Sequence, residues 1–311
     1  MSADWGDVIA RASGLSTRLM GGERLRALAR LPDLATLVGT LERDAPEWRL
    51  ASERGNASAA PVERAGRRVL GARMAVLARW CGERVALLAP LYEAEDHRSI
   101  RAALRGAATG APPGERRAGL VATPALPDAA LDALAQQPTT AAVAALLAAW
   151  GHPFASAILE EAARERPDLF TLESRLDLRF MRRAEAVAYY AEEPMKDYVR
   201  VTLLAHRAWT ALAAEDPASA LAPVASEMPL TELGALLSRP ALPDAESLDY
   251  AVFATHLARQ RAHARRDPLG LGRVLYFVLR LRAEVRDLTR IAWGLAIGAP
   301  RAMLSAGVVA P

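Results

Sequence analysis

Residues 169–187 read LFTLESRLDLRFMRRAEAV. Leu169, Leu172, Leu176, Phe180, Ala184 and Val187 recur at steps of three and four. That is the spacing of one face of an α-helix, not the alternation of a strand. This stretch therefore predicts a long helix. The same period extends outward in both directions. Val8, Ala12, Leu15 and Leu19 mark a first helix that Gly21-Gly22 stops. Leu25, Leu28 and Leu31 mark a short second helix ended by Pro32, and Asp33 is placed to cap a third carrying Leu34, Leu37, Val38 and Leu41. Residues 51–61 have no period and read as a loop. A long helix is predicted over 62–89 from Val69, Ala72, Val76, Trp80 and Leu87, ended or kinked at Pro90. Another is predicted from Leu269 through Ile297. Strand patterns are absent and aromatics are only 5%, so the fold is predicted to be all-α.

Composition narrows the function classes. A chain of 311 residues with 52% apolar and 24% charged residues fits a globular protein. One cysteine, Cys81, forbids an internal disulfide or a Cys-rich metal cluster. Lys196 is the only lysine, and 39 cations against 36 anions leave a charge of only +3. The pairs Arg116-Arg117, Arg182-Arg183 and Arg265-Arg266 are scattered and lack interleaved aromatics, unlike a nucleic-acid groove. The longest clean apolar run, 139–150, falls short of the ~20 residues of a spanning helix. Asp4 and Asp7 stand where a signal peptide would be positive. The expected location is therefore cytoplasmic.

Internal repetition is the most informative pattern. Residues 98–112 align with 286–300, and Arg98/Arg286, Gly106/Gly294, Ala108/Ala296, Gly110/Gly298, Ala111/Ala299 and Pro112/Pro300 are identical. Upstream, Leu25-Arg26-Ala27-Leu28-Ala29 before Pro32 matches Leu131-Asp132-Ala133-Leu134-Ala135 before Pro138. Each is followed by a short apolar helix ending in Trp48 or Trp150. The unit is two or three short helices, a long helix and a shorter closing helix. Three such units are expected, at 1–112, 113–216 and 217–311.

No catalytic constellation emerges. The phosphate-loop motif is absent, and Gly270-Leu271-Gly272 has Leu275 where a dinucleotide fingerprint needs its third glycine. These glycines read as the start of the last long helix. His97, His152, His206, His256 and His263 show no metal-site spacing and read as surface or boundary residues. Cys81 beside Trp80 reads as a buried thiol, and Glu160-Glu161 and Glu192-Glu193 as solvated faces. No cofactor, metal or small-molecule substrate is expected.

The C-terminal third adds a resemblance. Asp267-Pro268-Leu269-Gly270-Leu271-Gly272, then Tyr276, Glu284 and Arg286, then Gly298-Ala299-Pro300-Arg301 and the ending Val308-Val309-Ala310-Pro311 resemble the end of one family. It is the C subunit of bacterial and archaeal V/A-type rotary ATPases, called subunit d in eukaryotic V-ATPases. Residues 100–112, the Asp197-Tyr198 helix start and the Ala10-Arg11-Ala12 helix before Gly21-Gly22 are similar to further segments of it. The sequence departs from the family's Asn-Leu-Arg-like triplet. The Asn position holds Ser99, Arg207 and Asp287, and the Arg position holds Arg101, Trp209 and Thr289.

The resemblance implies a funnel of three helical units with approximate threefold symmetry, and a non-catalytic adaptor. It would sit peripherally on the cytoplasmic face of the membrane. Its partners would be the central rotor shaft and the proteolipid ring, with no membrane span of its own. Arg98, Arg101, Arg105, Arg286 and Arg290 are the candidate partner-interface residues, because guanidinium pairs bidentately with carboxylates. The alternative is a helical-repeat scaffold of another cytoplasmic complex.

Overall fold

A computed structural model describes residues 4–48, 50 and 58–311. Among the described residues no strand occurs. In chain order the helices are α1 (Gly6–Ser16), α2 (Gly22–Ala29), α3 (Leu34–Asp44), α4 (Ala60–Cys81), α5 (Ala89–Ala108), α6 (Pro113–Ala118), α7 (Asp128–Ala135) and α8 (Thr140–Ala149). They continue as α9 (Ala155–Ala162), α10 (Leu169–Tyr190), α11 (Glu193–Leu212), α12 (Pro217–Ser226), α13 (Glu232–Leu237), α14 (Ala245–Arg266), α15 (Leu271–Ala296) and α16 (Arg301–Ala306). Packing divides the described chain into two compact units. One holds 4–39, 58–59 and 191–311; the other holds 40–48, 50 and 60–190. This is a division by contact, whereas boundaries at 112 and 216 come from repetition.

The quoted stretch forms α10, and its predicted face is the buried one: Leu172, Leu176, Phe180 and Ala184 are in the core. Asp33 accepts the N–H of Thr36 at 2.7 Å at the start of α3, as a capping residue does. The expected 62–89 helix is two elements. It begins at Ala60, and α4 ends at Cys81, where Gly82 takes φ +55 and a 3-10 turn over Gly82–Leu88 follows. Pro90 does not end a helix. It lies in the first turn of α5, where its missing N–H has no partner to lose. The buried face of α4 also differs: Val69 is buried, but Met74 and Leu77 fill the core while Ala72 is exposed. Of the expected 51–61 loop, residues 51–57 lie outside the described residues.

The longest elements of the unit containing 191–311 are α14 and α15, which pack together. A Cβ on Gly272 would lie 2.6 Å from the Cβ of His263, so this glycine permits the close approach of the two helices. Helix α14 has no clear apolar stripe because it buries Thr255, His256 and Gln260 together with Leu248, Ala251 and Leu257. Leu204, Leu221, Leu233 and Leu248 join α11, α12, α13 and α14 in one core. In the other unit, α10 packs on α5 and α9, and α5 also contacts α8 and α6.

The sequence repeat is a structural one. Gly110 and Gly298 both take left-handed backbone, at φ +70 and +71. The N–H of Ala111 reaches the carbonyl of Gly106 at 2.9 Å, and that of Ala299 reaches Gly294 at 2.8 Å. Each is the long backward bond of a Schellman cap. Pro112 and Pro300 then lead into α6 and α16. Arg116 lies over Gly106 as Leu304 lies over Gly294. The N–H of Val121 donates to Ser99 Oγ at 3.1 Å, and that of Val309 to Asp287 Oδ2 at 3.0 Å. Every pair keeps the same 188-residue separation, so the repeat extends beyond the fifteen residues first matched. The earlier pair also agrees, since Leu25, Leu28 and Ala29 are buried like Leu131, Leu134 and Ala135. Their tryptophans differ: Trp48 is fully buried and Trp150 is 41% exposed.

Candidate functional site

The candidate arginines on α5 belong to a ladder of charges. Glu93, His97, Arg101 and Arg105 are four residues apart on one face of α5. Descending α10 they meet Arg183, Asp177 and Glu173, so the two helices run antiparallel. Arg183 grips Glu93 with two hydrogen bonds, at 3.0 and 2.5 Å. His97 Nε2 meets Asp177 Oδ1, and the His97 ring stacks on Phe180 at a centroid distance of 5.3 Å. Arg101 Nε donates to Glu173 Oε2 at 2.8 Å, and Arg105 Nη2 donates to the same oxygen at 2.7 Å.

Two guanidinium groups therefore share one carboxylate. Burial pushes the Glu173 carboxyl up, but the hydrogen bond from Arg105 and the charges of Arg101 and Arg105 outweigh it and hold it below the usual range. Glu173 alone cannot neutralise both cations, and Asp177, whose charge also acts on Arg105, supplies the second anion. The Arg101 and Arg105 side chains stay 38% and 54% exposed. Arg98 is the most open of the five at 57%, with Nη1 2.9 Å from Glu95.

Arg286 and Arg290 are placed differently. Their side chains are only 13% and 16% exposed. Arg286 Nε donates to Asp249 at 2.5 Å and its Nη1 to Asp287 at 2.9 Å, with the guanidinium over the Phe253 ring. Arg290 Nη1 donates to Glu246 at 2.9 Å and its Nη2 to the carbonyl of Leu304. Both tie α15 to α14, and Arg290 also holds α16. The structure thus brings Arg98, Arg101 and Arg105 together on α5, and sets Arg286 and Arg290 in a second cluster.

Several partners escaped the sequence reading. Glu93, Glu173, Asp177 and Arg183 were legible only as charges; their four-residue spacing on α5 was the one available signal. Glu161 is not on a solvated face. It is fully buried, with Arg164 at 2.9 Å and the N–H of Asp168 at 3.2 Å, because α9 turns it inward. His152 and His256 are buried rather than superficial, beside Asp96 and Tyr198 respectively. Cys81 is buried as expected. Gly270 and Leu271 open α15 as expected.

The departures from the Asn-Leu-Arg triplet acquire physical roles. Ser99 and Asp287 both accept a backbone N–H from the segment after the next short helix, so an acceptor side chain suffices there. Arg207 at the corresponding place pairs with Glu227 at 2.5 Å. Trp209, where an Arg was expected, is 43% exposed on α11.

Among the described residues no group of His, Cys, Asp or Glu is placed to hold a metal ion, and no helix is long and apolar enough to cross a membrane. No curated protein matches the chain. The family described as ATP synthase (C/AC39) subunit matches residues 8–203. The C-terminal islands lie beyond that match, but the 188-residue repeat ties them to the segment around Arg98, which lies inside it. The matched stretch is more than half of the 311 residues, and the chain belongs to the ATP synthase C/AC39 subunit family of V/A-type ATPases.

Proposed function

We propose that this chain is the non-catalytic central-stalk adaptor of a V/A-type rotary ATPase. It would couple the rotor shaft to the membrane proteolipid ring, for ion transport linked to ATP hydrolysis or synthesis. The observation that carries the reading is the family match over 8–203. The mechanics support it. A torque coupler needs stiff elements and docking surfaces, not a reactive pocket. Dense packing of α10 on α5 and of α14 on α15 supplies stiffness, and the ion-pair ladder resists sliding of α5 along α10.

The finer arrangement belongs to the same proposal: three helical units in a funnel, at the cytoplasmic face of the membrane. Repetition at 188 residues is its support. Arg98, Arg101 and Arg105 are the proposed first contacts with an acidic face of the shaft. Arg286 and Arg290 would contribute mainly through the helices they hold in place.

The test is an affinity pull-down of the tagged chain from gently solubilised native membranes, read by mass spectrometry. Recovery of shaft subunits with a small proteolipid is the expected result. Soluble partners alone, without proteolipid, would overturn the adaptor reading and point to the scaffold alternative.

A further inference from the structure

A second set of arginines lies apart from the α5 ladder. Arg64, Arg67 and Arg68 project from α4 into a cleft of about 500 Å³. Arg117 of α6 faces it as well, with Asp128 and Asp132 of α7. The rest of its lining is mostly small: Gly71, Ala72, Gly114, Ala118 and Ala122. Gly71 is close enough to the chain after α6 that a Cβ there would lie 3.2 Å from the Ala122 nitrogen. Small residues leave the space between the arginines empty, at a size suited to a small ligand.

Arg67 and Arg68 are held by groups outside the lining, and Arg117 by two carboxylates within it. Arg67 donates to the carbonyl of Gly119 and to Glu63. Arg68 Nη2 donates to the carbonyl of Trp48 at 3.1 Å. Arg117 reaches Asp128 through Nη2 at 2.5 Å and Asp132 through Nε. Arg67 and Arg117 each use two N–H groups in these bonds, of the roughly five a guanidinium carries. Four cations line the cleft with the two carboxylates Asp128 and Asp132, and Glu63 pairs with Arg67 beside it. Asp128 and Asp132 are 79% and 66% exposed, so water screens much of what they offer the arginines.

We propose that this cleft binds a soluble anion carrying two or more linked phosphate groups. Planar, preorientated guanidinium groups match phosphate oxygens in two-point contacts. Four guanidinium groups around one cleft match an anion that offers several oxygens. A concave site of this volume suits a small phosphoester better than an extended protein segment. The ligand displaces Asp128 and Asp132 from Arg117 and takes their place. This inference uses none of the adaptor reading, and either can fail alone.

Isothermal titration of the full chain with pyrophosphate and with ADP, at constant ionic strength, tests it. Saturable binding of at least one is expected. The double substitution Arg64→Gln with Arg68→Gln weakens it by at least ~10-fold, the scale of two lost charge-assisted contacts. The double substitution Asp128→Asn with Asp132→Asn tightens it by about 3-fold or more, because two competing anions are gone. A gain of affinity cannot come from misfolding, so this variant guards the first. The proposal is overturned by absence of saturable binding to either probe, or by binding that the Arg64/Arg68 pair leaves unchanged. Binding to phosphatidylglycerol vesicles with none to pyrophosphate or ADP would also overturn it.

Discussion

The carboxylate of Asp287 accepts the backbone N–H of Val309 at 3.0 Å, and that bond fastens the last residues of the chain to α15. The same Oδ2 accepts the N–H of Ala310 at 2.8 Å, and Asp287 is fully buried. Burial pushes its carboxyl up, while the N–H of Ala310, the charge of Arg286 and the N–H of Val309 pull it back only in part. Asp287→Ala leaves two buried N–H groups without their acceptor and takes from Arg286 one of its two carboxylate partners. The expected loss is roughly 2–5 kcal/mol. Asp287→Asn keeps one acceptor oxygen and loses less than half of that. Urea unfolding of the two variants checks the order, and equal losses would remove the assigned role.

The ladder predicts an acid-dependent loss of stability. Glu173 has a folded pKa below the ordinary glutamate value of 4.5. Its contribution is therefore complete above the unfolded value and disappears as pH falls through the lowered folded value. Glu173→Gln removes the charge and one of the two acceptor oxygens offered to Arg101 and Arg105, at a cost of about 1–2 kcal/mol near neutral pH. The gap between parent and variant should narrow steadily below pH ~4.5. A gap that stays constant down to acid would show that the two arginines gain nothing from the Glu173 charge.

Glycine positions predict opposite signs for one substitution. Gly14 in α1 has nothing within 4 Å of a built Cβ, so Gly14→Ala should stabilise by about 0.5–1 kcal/mol through helix propensity. At Gly272 the same propensity gain meets the His263 Cβ at 2.6 Å. Gly272→Ala should destabilise by roughly 1–2 kcal/mol net, as overpacking separates α14 from α15. Thermal melts of both variants read the signs directly.

The five interface candidates should separate by burial. Arg98→Ala, at a site 57% exposed but paired with buried Glu95, should cost about 0.5–1.5 kcal/mol. Arg286→Ala leaves buried Asp287 without a cation and should cost about 2–4 kcal/mol. If the α5 arginines meet an acidic shaft, affinity falls with salt, as for any pairing of exposed charges. Arg98→Ala then slows association, by a factor that shrinks as salt rises. Shaft affinity that is flat from low to high salt would argue against that contact.

The fold class was readable because an amphipathic helix writes its buried face into local spacing. Leu172, Leu176, Phe180 and Ala184 need no distant partner to be recognised. The repeat was readable for a similar reason. Left-handed Gly110 and Gly298 are demanded by a helix cap, which is a local event. Cys81 also followed from its immediate neighbours. The break at Gly82 was harder, because Pro90 is the louder signal and yet is harmless in a first turn.

What the sequence by itself determined was thus helicity, the 188-residue repetition and the family, since each is stored in short-range pattern. Only the tertiary structure decided which charges act together. Glu173 serves Arg101 and Arg105 from about seventy residues away, and Glu161 is buried although it follows exposed Glu160. The four arginines of the α4–α6 cleft likewise come from two helices well apart in sequence. Ion pairing depends on distance and local dielectric, and neither exists until helices pack. A run of arginine reads the same in sequence whether it faces water, a carboxylate or an empty cleft.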